Sequence, residues 1–167
     1  MRGCLLIATM MLGAGLCACT QAPPAPTVSD SPAGIAPLAQ ARIQMREVAE
    51  DARRPGVTTL LKDRDGNALP LIEPAFITTA DIASVALGSD ATTGHGTLIL
   101  RFTDAAAPRI LAATEARVAK RVAFTVGDQV LNVAVIAGPF AQSMQVSGLD
   151  STEEAHRLYT EITGKAP

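Results

Sequence analysis

The sequence predicts an α+β fold, with a small antiparallel or mixed sheet and about two helices packed on one face. Short runs in which apolar and polar residues alternate recur along the chain, and turn-forming residues separate them. Two later stretches carry apolar residues at helical spacing instead. The part of the chain from residue 41 to residue 167 is long enough to form one domain with a core of ordinary size.

The first strands are predicted from alternation and from turn chemistry. Ile43 and Met45 indicate a strand that extends towards Val48. Residues 58–62 and 68–72 flank a short stretch of aspartate, glycine and asparagine, residue types that adopt the backbone angles of a tight turn. The two segments are therefore predicted to form a β-hairpin.

The middle of the chain continues with strands separated by turns. Residues 74–78 form a short apolar run, and the chain is expected to turn at 79–82. Strand propensity returns at 84–87. After a glycine-flanked loop at 92–96, residues 98–102 alternate so that one face is more apolar than the other.

Two helices are predicted in the second half of the chain. The first covers the alanine-rich stretch 105–120 and begins after Asp104. One apolar stripe of this helix consists of Leu111, Thr114 and Val118. The second begins with a capping box formed by Ser151 and Glu154, and Gly164 ends it. Its apolar stripe consists of Ala155, Leu158, Tyr159 and Ile162.

Between the helices, the sequence indicates a second hairpin and a last strand. The β-branched runs 122–126 and 130–136 are separated by a turn that contains Gly127 and Asp128. A short final strand is predicted at residues 145 and 146.

The amino terminus resembles a bacterial lipoprotein signal. A basic residue, Arg2, precedes an apolar run over 4–16, and the order leucine, cysteine, alanine, cysteine follows at 16–19. This pattern predicts that residues 1–18 are removed and that Cys19 becomes a lipidated amino terminus. A membrane-spanning helix would need roughly 20 apolar residues, and this run is shorter.

The chain is expected to have three parts: a signal peptide at 1–18, a lipidated cysteine with a proline-rich tether at 19–40, and a domain at 41–167. The tether either acts as a spacer or is simply disordered, and the sequence favours neither reading. All three cysteines lie in the first 19 residues, so no disulfide is expected in the domain. Thr20 is not the aspartate associated with inner-membrane retention in enteric bacteria, which favours the outer membrane, facing the periplasm.

Composition argues against nucleic-acid binding and against catalysis. The net charge is −2, there is no tryptophan, and no basic stripe is visible, so nucleic acid is not an expected partner. There is no glycine-flanked nucleophilic serine, phosphate-binding loop or dinucleotide fingerprint. The chain is therefore predicted not to be an enzyme, with no catalytic residues, no cofactor and no small-molecule substrate.

No metal site is predicted either. Asp63, Asp65 and Asn67 look like the start of a calcium loop, but Ala68 and Pro74 occupy the positions that require glycine and glutamate. The two histidines, His95 and His156, have no neighbouring ligands in the sequence, and a transition-metal site needs several converging ligands.

Three stretches of the second half carry a family resemblance. They are ITTADIASV at 77–85, the long segment from TLILRF to LNVAVI at 97–136, and QVSGLDSTEEAHRLY at 145–159. Their order and spacing resemble the periplasmic P1 head subdomain of the protein-export membrane protein SecD, of the SecDF family. Ala119 stands where that family usually has glycine, and Ala134 stands where it commonly has proline.

The resemblance implies a binding function. Together with the amino-terminal signal, it predicts a lipid-anchored periplasmic accessory module in which a sheet edge or groove contacts secreted polypeptides or envelope partners, without transport activity of its own. The alternative is a structural envelope-interaction lipoprotein with no role in export. In both cases the membrane is contacted through lipid at Cys19.

Overall fold

A computed structural model describes residues 34–167. The predicted signal peptide and Cys19 lie outside the described residues. The strands of the described part are β1 (Ile43–Glu47), β2 (Val57–Lys62), β3 (Ala68–Ile72), β4 (Ile77–Thr78), β5 (Ile82–Ser89), β6 (Gly96–Phe102), β7 (Arg121–Val126), β8 (Gln129–Val135) and β9 (Ser143–Val146). The α-helices are α1 (Ala107–Glu115) and α2 (Thr152–Thr163), and 3₁₀ turns lie at Ala39–Ala41 and Thr79–Asp81.

The predicted α+β fold is confirmed, and its strands form antiparallel sheets. The largest sheet has the strand order β4-β1-β7-β8. A second has the order β5-β6-β9, and the hairpin β2-β3 forms a third. Both predicted hairpins are present, but the pairing of β1 with β7 joins residues far apart in the sequence, which strand patterns alone do not reveal.

The main core lies between the two larger sheets and helix α2. Ile43 of β1, Leu100 of β6 and Leu158 of α2 are each fully buried there. A smaller apolar cluster joins the β2-β3 hairpin to the larger sheet and includes Leu71 and Val130. Burial of these side chains is the main favourable contribution to the folding of this domain.

Helix α2 begins and ends as the sequence predicts. The side chain of Ser151 accepts a hydrogen bond from the backbone N–H of Glu154 at 3.1 Å. The carboxylate of Glu154 accepts the N–H of Asp150 at 2.6 Å, so the reciprocal bond of the capping box is shifted by one residue. Gly164 ends the helix at φ 67°, a left-handed conformation that glycine adopts without strain.

Helix α1 is shorter than predicted, and Asp104 does not cap it. The chain first makes a turn in which Thr103 accepts the N–H of Ala106, with its backbone carbonyl at 3.0 Å and its hydroxyl at 3.3 Å. The turn delays the start of the helix to Ala107, and the helix ends at Glu115. A residue that resembles a cap in sequence is here part of the preceding turn.

The predicted apolar stripe of α1 is correct at one position of three. Thr114 is fully buried, whereas Leu111 and Val118 are 38% and 44% exposed. Ile110 is the buried apolar residue, one turn before Thr114 on the same face. Because the helix ends before Val118, the helical spacing that connects Val118 to Thr114 in the sequence does not apply.

Ala119, in the turn between α1 and β7, has a left-handed backbone conformation with φ 64°. Its N–H donates to the carbonyl of Ile136 at 2.8 Å. This is the position where the resembling family usually has glycine. Alanine is strained in this conformation because its Cβ approaches the backbone, and glycine is not.

The segment that leads into β1 lies against the domain. Ile35 and Val85 exchange backbone hydrogen bonds of 2.8 Å in each direction, so Ile35 pairs with the outer edge of β5. The N–H of Leu38 donates to the carbonyl of Ile162 at the end of α2, also at 2.8 Å. The last residues of the predicted tether are thus attached at two points.

Candidate functional site

Each of the two larger sheets has one covered edge and one open edge. The β4 edge of the larger sheet is only two residues long and ends in a 3₁₀ turn. There the backbone N–H of Thr78 donates to the carboxylate of Asp81 at 2.8 Å, and Asp81 also pairs with Arg109 of α1. The β5 edge of the second sheet is covered at Val85 by Ile35. Short, capped or covered edges resist pairing with other chains.

The electrostatics of the β4 edge favour a charged Asp81. Burial of this side chain opposes ionisation, but hydrogen bonds from Arg109 and Thr78 outweigh it and hold the pKa of Asp81 below its usual range. Asp81 belongs to the motif at 77–85 that the sequence singles out. Its role in the structure is to close this edge.

The opposite edge of the same sheet, along β8, is open. The N–H of Val48 donates to the carbonyl of Arg121, so the backbone N–H and C=O groups of Arg121 point towards β1. Those of the next residue, Val122, therefore point towards β8. Val122 is paired with Ala134. Because backbone groups alternate in direction, those of Val133 and Val135 point away from the sheet. They have no strand partner among residues 34–167.

The β9 edge of the second sheet is open for the same reason. The N–H of Phe102 donates to the carbonyl of Gln142 at 2.9 Å. This bond shows which residues of β9 point their backbone groups towards β6. By alternation, Met144 faces β6, whereas the backbone groups of Ser143 and Gln145 point outward. In the described part of the chain, no strand pairs with this side of β9.

The two open edges face each other across a depression that we call the groove. Its floor is formed by the core residues Met45, Val122 and Phe124, and its walls are β8, β9 and the loop 136–142 that joins them. It has a wider part of about 320 Å³ near the loop and a narrower part of about 90 Å³ further along the strands. None of the described residues that line it carries a charged side chain.

The narrow end of the groove is bridged by a single side chain. The side-chain amide of Asn132, on β8, donates to the backbone carbonyl of Ser147 at 2.6 Å. This bond joins the two walls immediately after β9 ends.

The wide end of the groove is held by helix α1. The hydroxyl of the buried Thr114 lies 2.9 Å from the carbonyl oxygen of Phe140 and 3.1 Å from its backbone nitrogen, so it contacts both polar groups of that residue. The ring of Phe140 stacks on Phe102, with centroids 6.1 Å apart and an angle of 18° between the planes. The loop is thereby fixed at the mouth of the groove.

This arrangement can accept an extended chain. A strand placed in the groove would find backbone donors and acceptors on both walls, as in recognition by strand addition. Its alternate side chains would meet an uncharged floor that contains Met45, with Met144 in the wall. Methionine side chains are flexible and adapt to ligands of different shape.

Two larger hollows are more open and less suited to a ligand. One, of about 470 Å³, lies beside Arg42 and Thr79. The other, of about 780 Å³, lies between the β2-β3 turn and α2. Arg64 there already forms ion pairs with Asp150 at 3.0 Å and with Glu154 at 2.8 Å. The groove is favoured despite its smaller volume because its walls carry unpaired backbone groups.

The other candidate residues of the sequence are not brought together. Asp63 uses its carboxylate to accept the N–H groups of Asp65 and Asn67 and the side-chain amide of Asn67. The hydrogen bond from the Asn67 side chain is the main reason why the pKa of Asp63 lies below its usual range. His95 and His156 are both exposed. Within residues 34–167, no three His, Cys, Asp or Glu side chains are placed to hold a metal ion.

Sequence reasoning did not locate the groove, although one signal was available. The β8 strand contains no charged residue, and natural edge strands usually carry charges or proline that prevent pairing. The sequence alone did not show that β8 lies at an edge, because that depends on which strands pair with it.

The fold and the groove define an α+β module with two facing open strand edges. The family model of the SecDF P1 head subdomain matches residues 57–166, more than half of the chain. The chain therefore belongs to the SecDF P1 head subdomain family. No curated protein matches the chain at a significant level.

Solved structures of SecDF proteins share this fold. A structure described as a membrane component SecDF that enhances protein export matches at 20% identity and a TM-score of 0.57, covering 75% of this chain and 63% of that one. SecDF in a super-membrane-facing form matches at 21% identity and a TM-score of 0.57, covering 76% and 19%. SecDF from Thermus thermophilus, a translocon-associated membrane protein, matches at 20% identity and a TM-score of 0.50. The match covers 75% of this chain and 20% of that one.

The chain thus corresponds to about one fifth of the last two SecDF chains. Across residues 34–167, no helix has the length and apolar character needed to cross a membrane.

Proposed function

We propose that this protein is a lipid-anchored periplasmic accessory module that binds extended, uncharged segments of exported polypeptides in the groove. It binds by strand addition and neither catalyses a reaction nor transports its ligand. The observation that carries the proposal is the pair of open edges, β8 and β9, facing each other across an apolar floor. An extended polypeptide is the class of ligand whose backbone matches unpaired groups on both walls.

Family membership supports the biological setting of this proposal. A structurally similar protein is described as a membrane component that enhances protein export. Fold similarity alone is a weak argument for shared function, so the groove provides the site-level argument. Its uncharged lining favours apolar segments, which are the segments that an exported polypeptide exposes before it folds.

The sequence near Cys19 supports the anchor. The order leucine, cysteine, alanine, cysteine at 16–19 is that of lipoprotein processing, and the proline-rich stretch that follows suits a tether. Ile35 and Leu38 attach the end of this stretch to the domain. We propose the periplasmic face of the outer membrane as the location.

Photo-crosslinking in intact cells tests the binding proposal. A photoreactive residue replaces Val135 or Gln145, one on each wall of the groove, and newly exported polypeptides are radiolabelled before irradiation. The matched control replaces Arg157, whose side chain is 62% exposed on α2. Crosslinks to labelled polypeptides are expected from both groove positions and not from Arg157. Equal labelling from all three positions would show that the groove is not a binding site.

Mass spectrometry of the purified protein tests the anchor. A mature chain that begins at an acylated Cys19 is expected, and Cys19→Ala should release the protein from the membrane fraction. An intact 1–18 segment would overturn this part of the proposal.

Deletion of the gene distinguishes the proposed function from the alternative one. Unchanged secretion kinetics with altered envelope integrity would indicate a structural envelope lipoprotein.

A further inference from the structure

The side chain of Asn132, on β8, already occupies one hydrogen-bonding position next to the open edge of β9. On β9 and just beyond it, the backbone groups of Ser143, Gln145 and Ser147 follow one another at alternate positions and point into the groove. At Ser147 the carbonyl is already bonded, because the side-chain amide of Asn132 donates to it at 2.6 Å. In the described structure this is the one direct hydrogen bond seen between the walls of the groove.

The Asn132 amide takes the place that a strand would occupy. An asparagine side chain ends in the same N–H and C=O groups as a peptide bond, so it can satisfy a strand edge in place of another chain. The neighbouring residue, Gly148, is compatible with this position. It has φ 78°, and a Cβ added to it would lie 3.5 Å from the Asn132 side-chain nitrogen. The backbone at Gly148 therefore lies close to the Asn132 amide and leaves room for it.

We propose that Asn132 is a displaceable stop that sets how many residues of a bound polypeptide pair with β9. This inference rests on the proposed function of the groove. A short segment pairs with Ser143 and Gln145 and leaves the Asn132 bond intact. A longer segment reaches Ser147 only by replacing the Asn132 amide with its own backbone N–H. The longer segment then makes one bond at the expense of another, so added length brings little extra affinity.

Two capped probe peptides of alternating valine and threonine test this stop, one of five residues and one of eight. Each carries a fluorophore, and its binding to the full chain in lipid nanodiscs is followed by fluorescence anisotropy. A third probe, the eight-residue peptide with alternate backbone nitrogens methylated, keeps the side chains but loses donors. Weaker binding of the methylated peptide is expected for strand addition, and equal binding would exclude it.

The Asn132→Ala variant leaves Ser147 free. We expect its affinity for the eight-residue peptide to rise relative to its affinity for the five-residue peptide by about two- to tenfold, the value of one backbone hydrogen bond. Asn132→Leu, which fills similar space, adds no charge and has no N–H to donate, should act in the same direction. Equal effects on both peptides, or none on either, would overturn the role of Asn132. Failure of both peptides to bind the unaltered chain would instead overturn the proposed function.

A measurement on the unaltered protein does not depend on how the variants fold. The side-chain NH₂ signals of Asn132 in an amide NMR spectrum should shift when the eight-residue peptide binds and stay in place with the five-residue peptide. A bound eight-residue peptide that leaves these signals unmoved would contradict displacement.

Discussion

The two edges of the larger sheet, β4 and β8, differ in almost every property that controls pairing with another chain. The β4 strand has two residues, and Asp81 accepts the N–H of Thr78 where the strand ends. The β8 strand has seven residues without a charge, and its last residue, Val135, is 58% exposed. Two edges of one sheet therefore differ in availability, since one is short and capped and the other is open.

The contrast shows how this domain limits unwanted association through its strand edges. Open apolar edges invite uncontrolled association, and natural proteins usually protect them. Here the β5 edge is covered at Val85 by Ile35, and residues of the open strands β8 and β9 line one and the same groove. A chain that pairs with both edges at once would lie in this groove. Substitutions that disturb the open edge or the closed edge test this contrast.

The largest effect is expected from Thr114→Val. The hydroxyl of Thr114 contacts both backbone polar groups of Phe140, and valine has the same shape but no hydroxyl. Leaving these part-buried groups without a partner should lower the free energy of unfolding by about 2 kcal/mol. Urea denaturation measures this loss. The matched control is Thr160→Val, whose hydroxyl bonds only within the exposed surface of α2. Similar losses in the two variants would show that Thr114 has no special role.

A charge in the groove should block binding without unfolding the domain. Ala134 is exposed and lines the groove, so Ala134→Lys places an ammonium group among its uncharged walls. We expect crosslinking of exported polypeptides to fall by about tenfold, because a charge without a partner in such a site must lose hydration. The matched control is Ala83→Lys, at an exposed position of β5. A comparable fall in both variants would indicate a general effect of charge and not a block of the groove.

The closed edge should lose stability in acid. Because the pKa of Asp81 is lower in the folded protein than its usual value, its carboxylate stabilises the fold at neutral pH. That contribution decreases as the pH falls below about 4 and through the folded pKa. The free energy of unfolding of Asp81→Asn should be about 1 kcal/mol below that of the unaltered protein at pH 7, since an acceptor for Thr78 and an ion pair are altered.

Chemical denaturation from pH 7 down to about pH 3 measures this difference, which should shrink as the pH falls. A second variant, Arg109→Gln, removes the guanidinium and leaves the bonds between Asp81 and Thr78. Its difference from the unaltered protein should shrink in acid to the part due to the lost hydrogen bond from Arg109 to the carbonyl of Phe76, which is 2.6 Å long. A difference for Asp81→Asn that stays constant over the whole range would exclude the carboxylate as its cause.

The smallest effect, and the one stabilising change, is expected from Ala119→Gly. Ala119 has φ 64°, where glycine is unstrained, so the substitution should raise the free energy of unfolding by up to about 1 kcal/mol. Ala116→Gly, at φ −65° beside the end of α1, is the matched control and should be destabilising. Thermal denaturation compares the two. A loss of stability in both variants would contradict the strain at Ala119.

Much of the fold could be predicted from local pattern. Alternation located β1 and β6, and the side chain of Ser151 caps α2 as its position in the sequence predicts. The start of α1 could not be placed in this way. Asp104 has the residue type of a cap, but the turn made by Thr103 delays the helix, and competition between such local bonds depends on how the surrounding chain packs.

The candidate site shows the same limit more clearly. Binding through a sheet edge or groove was a prediction, but no residue of the groove could be named from the sequence. Ala134 and Met144 lie in different sheets, and nothing in their local sequences indicates that they line one groove. Asn132 lies in a β-branched run that only predicts a strand.

By itself, the sequence indicated most of the segments that form strands or helices and placed most of the chain in the SecDF P1 head family. It also predicts lipidation at Cys19, which lies outside the described residues. Only the tertiary structure decided which strand edges are covered and which are open. The physical reason is that side-chain periodicity reports which face of a strand is buried, whereas edges are set by backbone pairing between distant segments. The groove belongs to this second kind of information.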